Sequence, residues 1–403
     1  MPRSPEPRFT CTIPSIYDDI PLNIRVYHPD GLSRPGSKDS KHEEESQLKW
    51  QRKGVVMAHP YAPMGGSYDD HVVAIVIDEF LRKGWVVGTF NFRGAHGSKG
   101  RTSWSGKPEL DDYISFAAFF MHYLSYLQPN PPPTAVFAPD QSPGNTEQQG
   151  HNPPIVVLGG YSYGSMILRH LPPVPSILQP FSTPLTGSAA DEILLRAHKL
   201  ADQVNLGWIN AARATAERGR RQGHEAKLSV IIGGEETSPK NRRSSRDIRR
   251  SMDGGSGRRS LNISESLRGL SHRRSPHPQT PEPTSARPAI VMPHVRYLIV
   301  SPLAPPISTL ATPALGHKFW NRAASSGAAG DVIAKHQSLV VYGDQDQFSS
   351  THKVREWVGR LQSDGASQCS ATEIKGAGHF WHDHRAEREL RNAIEEWEKI
   401  VRL

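Results

Sequence analysis

The stretch Ile155-Val156-Val157-Leu158-Gly159-Gly160-Tyr161-Ser162-Tyr163-Gly164-Ser165-Met166-Ile167-Leu168 decides how this chain is read. An apolar run of buried-strand character, Ile155 to Leu158, meets a Gly-x-Ser-x-Gly pentapeptide, and helical character follows from Ser165 to Leu171. In a strand-to-helix turn this pentapeptide has a mechanical reason. The serine adopts strained backbone angles, and glycines two residues to either side let strand and helix approach without Cβ clashes. Such a turn lifts the Ser162 hydroxyl above the sheet, with a helix N-terminus behind it that favours developing negative charge.

Working outward, apolar runs alternate with helical patterns, which is the signature of a mostly parallel sheet with helices on both faces. Buried-type strands are expected at Gly54 to Ala58, Trp85 to Phe90, Tyr297 to Val300 and Leu339 to Tyr342, with Ser370 to Ile374 as a further one. Leu22 to Tyr27 alternates apolar and polar residues, as a half-exposed antiparallel edge strand would. Helices are expected over Asp70 to Lys83, Glu109 to Leu127 and Arg385 to Val401, the last burying Leu390, Ile394 and Trp397.

A serine is a poor nucleophile without a general base oriented by a third group. On such a sheet the partners follow later in the chain, acid before histidine. Gly343-Asp344-Gln345-Asp346 comes directly after one expected strand, and Gly376-Ala377-Gly378-His379 after the next. Asp346 is preferred to Asp344 as the acid, because Asp344 is closer to the strand end and suited to tying down the loop.

These residues resemble the α/β-hydrolase superfamily, most closely its small serine-hydrolase branch. The resemblance rests on the His59-Pro60-Tyr61-Ala62-Pro63-Met64-Gly65-Gly66 loop, the Asn91-Phe92-Arg93-Gly94 turn, Gly-Tyr-Ser-Tyr-Gly, Gly-Asp-Gln-Asp-Gln-Phe and Gly-Ala-Gly-His-Phe. It covers about Leu22 to Gly187 and Val295 to the end. It implies an α/β-hydrolase fold, a Ser162, Asp346, His379 triad, and an oxyanion hole made by the backbone N–H of Tyr163 and of Tyr61. No cofactor is implied.

Composition supplies the exclusions. The 403 residues carry a net charge of +8 and two cysteines, Cys11 and Cys369, which rules out a disulfide-framed scaffold and points to a reduced compartment, the cytoplasm. No stretch has the roughly 18 apolar residues of a membrane span, and Met1 to Tyr17 lacks the apolar core of a secretory signal. The charge invites a nucleic-acid reading, but its location tests that reading. Residues 237–290 hold twelve Lys/Arg and four Asp/Glu, so the remaining 349 residues, with 36 of each sign, are neutral.

That tract has eleven Ser, six Pro and no Phe, Trp, Tyr, Val or Cys, and is expected to be disordered. The absence of interleaved aromatic residues makes base stacking an unsuitable role for it. Its four Arg-Arg-Ser repeats, ending at Ser244, Ser251, Ser260 and Ser275, suit a basic-directed protein kinase. The domain plan that follows is a hydrolase core in residues 1–187, with a proline-rich loop at 128–154, a helical cap in 188–236, the disordered insertion 237–290, and the rest of the core in 291–403. Ile193, Leu194, Leu200, Val204, Leu206 and Ile209 are the cap's candidates for covering an apolar mouth.

His59, Met64, Tyr68, Phe348, Phe380 and Trp381 fall in loops expected around the nucleophile and are candidates for an apolar acyl pocket. For His59 an equal reading is a histidine that satisfies backbone groups in a tight turn. Arg93 is expected to pin loops through its fork of donors. His382-Asp383-His384 has the look of a metal cluster, but a solvated helix start is the better reading, so no metal site is expected. The leading function is hydrolysis of a carboxylic ester or thioester of a small molecule. A peptidase or acyltransferase could use the same triad, and a non-catalytic scaffold binding anionic partners is the rival from a different class.

Overall fold

The computed structural model describes residues 5–33, 50–129, 153–229, 290–304, 332–363 and 365–402. Eight strands form one sheet: β1 Phe9–Pro14, β2 Pro21–Tyr27, β3 Lys53–Ala58, β4 Val86–Phe90, β5 Ile155–Tyr161, β6 His294–Val300, β7 Ser338–Gly343 and β8 Cys369–Ile374. Their order across the sheet is β1-β2-β4-β3-β5-β6-β7-β8. Both ladders of β2 are antiparallel, and the remaining five are parallel. The helices are α1 Asp30–Ser33, α2 His71–Arg82, α3 Lys107–Tyr126, α4 Tyr163–Leu168, α5 Val174–Leu178, α6 Ala189–Ser229, α7 Val332–Lys335, α8 Thr351–Gln362 and α9 His384–Val401.

The period of two along each strand divides the core. Val56, Ala58, Val156, Leu158 and Ile299 face one layer, packed with Phe116, Phe120 and Leu124 of α3 and with Trp357 and Leu361 of α8. Val55, Met57, Val157, Leu298 and Val300 face the other, packed with Val73, Ile77 and Phe80 of α2 and with Leu390, Ile394 and Trp397 of α9. Asp70 caps α2 by accepting from the Val72 N–H, and Asp383 caps α9 by accepting from Arg385 and Ala386.

One expectation is corrected. The strand at Leu22 to Tyr27 is antiparallel as expected but lies inside the sheet; the edge is β1, whose six residues pair with β2 from Phe9 opposite Val26 to Pro14 opposite Pro21. Leu22, Ile24 and Val26, alternate residues of β2, are fully buried on one face of the sheet. The segment where a cap is expected begins as the helix α6, whose Ile193, Leu194 and Val204 are buried in the layer that holds α3, while Leu206 is exposed. Arg196 of α6 bonds the Thr12 carbonyl, Trp208 donates to the Leu32 carbonyl at 2.9 Å, and Asn205 to that of Tyr126 at 2.9 Å. Leu32 and Tyr126 lie at the end of the sheet where the parallel strands begin, so α6 runs down the flank, away from the strand C-termini. Residues 220–288 form a separate unit, and the basic tract lies outside the described residues.

Candidate active site

The elbow between β5 and α4 holds Ser162 at φ 54 and ψ −115, a left-handed conformation whose strain costs on the order of 1–3 kcal/mol. Both flanking glycines are required by contact. A Cβ on Gly160 would lie 2.4 Å from the Gly164 carbonyl carbon, and one on Gly164 would lie 2.7 Å from the carbonyl oxygens of Ala58 and His59. The first clash would separate strand from helix, and the second would push away the loop after β3. The Ser162 N–H is anchored to the Val300 carbonyl at 3.0 Å, and the Ser165 hydroxyl donates to the Ser162 carbonyl at 2.6 Å.

The loops after β7 and β8 bring Asp346 and His379 to this serine. His379 Nε2 lies 2.8 Å from Ser162 Oγ, and Nδ1 lies 2.7 Å from Asp346 Oδ2. A carboxylate only accepts, so the proton on the ring sits at Nδ1, and Nε2 is left to accept from the serine hydroxyl. The other oxygen, Asp346 Oδ1, accepts from the backbone N–H of Phe348 at 2.8 Å and of Ser349 at 2.9 Å. Asp344 instead accepts from the Gly376 N–H at 2.6 Å and joins the two loops.

Two residues that sequence reading missed hold the histidine from behind. Tyr161 Oη donates to the His379 carbonyl at 2.9 Å, and the His379 N–H donates to Gln347 Oε1 at 3.2 Å. Both lie inside the quoted motifs, at positions that the patterns leave variable, so only the contact across 218 residues reveals Tyr161.

Tyr163 is the first residue of α4, where a backbone N–H has no intrahelical acceptor. Tyr61 precedes the short turn Ala62–Met64, and its ring lies 5.1 Å from that of Tyr163. Of the pocket candidates, Met64 is exposed, Phe348 half-buried and Phe380 exposed. Three others are not free to line a pocket. His59 is fully buried; its Nδ1–H donates to the Pro60 carbonyl at 2.6 Å and its Nε2 accepts from the Phe92 N–H at 2.9 Å. Burial pulls its pKa down to about 4, with the bond to Pro60 opposing. The structure therefore assigns His59 to holding backbone. Trp381 is buried in the α2/α9 layer and donates to Ser301 Oγ at 2.9 Å. Tyr68 is buried beneath the Arg25 guanidinium, which lies 3.8 Å from its ring centroid.

Arg93 pins loops as expected. It grips Asp112 at 2.7 and 3.0 Å and reaches Asp18 at 3.0 Å. Among the described residues no His, Cys, Asp and Glu group is arranged to hold a metal ion, and no helix is long and apolar enough to cross a membrane.

No protein-family model matches the chain, and no curated protein matches it. Among solved structures it is similar to an alpha-beta serine hydrolase homologue from Coxiella burnetii, at 13% identity over 97% of this chain and 98% of that one, with a TM-score of 0.43. It is also similar to an a/b serine hydrolase without lid from Xanthomonas campestris, at 14% identity over 99% and 97% of the two chains and a TM-score of 0.43. A Pyrococcus furiosus esterase matches at 11% identity over 97% and 90%, with a TM-score of 0.42. Likenesses this distant bear on neither activity nor substrate. The chain's own strand order, its strained Ser162 elbow and the acid and histidine loops after β7 and β8 give it the α/β-hydrolase fold.

Proposed function

We propose that the protein is a serine hydrolase that cleaves a small-molecule carboxylic ester or thioester through an acyl-enzyme. The observation that carries this reading is the unbroken line from Asp346 through His379 to Ser162, at 2.7 and 2.8 Å. Ser162 attacks the carbonyl carbon while His379 Nε2 takes its proton, and Asp346 stabilises the imidazolium that forms. The Tyr163 and Tyr61 backbone N–H groups receive the oxyanion, and His379 returns the proton to the leaving group. Water then enters by the same base and releases the acid.

The strain at Ser162 supports this reading, since backbone strain concentrates where geometry serves chemistry. Purified wild-type protein is expected to react with a fluorophosphonate probe and to turn over p-nitrophenyl acetate, and Ser162→Ala to do neither. Retention of both by Ser162→Ala would overturn it. At the level of sequence alone, Ser244, Ser251, Ser260 and Ser275 are proposed as kinase acceptors, which phosphopeptide mapping from cells would test.

A further inference from the structure

The chemistry of the triad divides the site into two sides. The carbonyl oxygen must turn toward backbone donors at the elbow, whereas the leaving-group oxygen must come within hydrogen-bond reach of His379 Nε2 to collect its proton. Whatever carbon group that oxygen carries therefore lies against the side chains that surround the imidazole.

Those side chains are aromatic. The Phe348 ring centroid is 4.7 Å from that of His379, and the Phe380 centroid is 5.5 Å from it at an interplanar angle of 88°. The two phenyl rings stand at 90° to one another with centroids 5.6 Å apart, forming a right-angled corner beside the base. Phe380 is 44% exposed, and its ring is held by His382, stacked at 5.7 Å and 17°. A phenyl ring held in place beside the proton donor, with nearly half its surface open, offers an edge or face to an incoming ring.

Resting on the hydrolase reading above, we infer that Phe348 and Phe380 determine specificity for the leaving group and select an apolar, preferentially aromatic alcohol, instead of lining an acyl pocket.

The test uses the full chain with two acetates, benzyl acetate and 2-methoxyethyl acetate. Both give the same acetyl-enzyme, and their alcohols are of similar acidity, so kcat/KM reports the leaving-group side. Wild type is expected to prefer the benzyl ester, and Phe380→Ala to lower the benzyl-to-methoxyethyl ratio about tenfold, the upper range for one lost aromatic contact. Phe380→Leu, which keeps apolar surface without the ring, is expected to fall between them. An unchanged ratio in Phe380→Ala, or a wild type with no benzyl preference, overturns the inference. Fluorophosphonate labelling of Ser162 in the same samples separates the two levels: labelling without benzyl preference refutes the leaving-group assignment alone, and no labelling refutes the hydrolase reading beneath it.

Discussion

Replacing Asp346 by Asn tests the geometry of the triad with a change of one atom. Asp346 Oδ1 accepts two backbone N–H groups, from Phe348 and Ser349 at 2.8 and 2.9 Å. An amide at this position must therefore keep its oxygen there and turn its NH2 toward His379 Nδ1, now 2.7 Å from a carboxylate oxygen. Nδ1 then becomes the acceptor and the ring proton moves to Nε2, which loses its capacity to take the proton of Ser162. Wrong-tautomer substitutions of this kind cost about 10⁴ in kcat, or about 5 kcal/mol of transition-state stabilisation at 1.36 kcal/mol per decade. The assay is p-nitrophenyl acetate turnover normalised to folded protein by circular dichroism, with Asp344→Asn as the comparison. The Asp344 carboxylate accepts from the Gly376 N–H, away from His379, so its variant is expected to lose less than about tenfold. A folded Asp346→Asn that keeps more than a tenth of wild-type activity, or an Asp344→Asn with the larger loss, refutes the assignment.

Tyr161→Phe removes the hydroxyl that supports the His379 carbonyl at 2.9 Å; one such hydrogen bond is worth about 1 kcal/mol, so kcat is expected to fall about fivefold with KM little moved, and an unaltered kcat would remove Tyr161 from the positioning of the base. Stability is expected to fall with acid in a definite window. Burial lowers His59 and His122 to about 4 and His28 to about 3. Each is neutral in the fold but accepts a proton near pH 6.5 when unfolded, so their contribution is complete above that value and is lost as pH falls toward 4. His59 alone accounts for about 3 kcal/mol of that loss, and urea midpoints that do not change between pH 7.5 and 4.5 would contradict it.

Much of the site was legible because its constraints are local. The Gly160 to Gly164 elbow depends on residues within four positions of one another, and strand, turn and helix propensities alone arrange them. The preference for Asp346 over Asp344 is likewise a matter of distance from a strand end: Asp346 contacts His379 and Asp344 the Gly376 N–H. Positions of strands, by contrast, depend on pairing. Nothing local to Leu22 to Tyr27 announces that a short, proline-flanked β1 covers its outer edge.

The chain by itself determined the fold class and the order in which the elbow serine, the aspartate loop and the histidine loop follow one another, because hydrophobic period and backbone sterics act over a few residues. Only the tertiary structure decided that His59 and Trp381 are buried supports, that α6 follows the flank toward Leu32 and Tyr126, and that two phenyl rings flank the base. Each of those outcomes is fixed by surfaces from distant segments competing to exclude water, and side-chain identity alone carries no record of which surface it will meet.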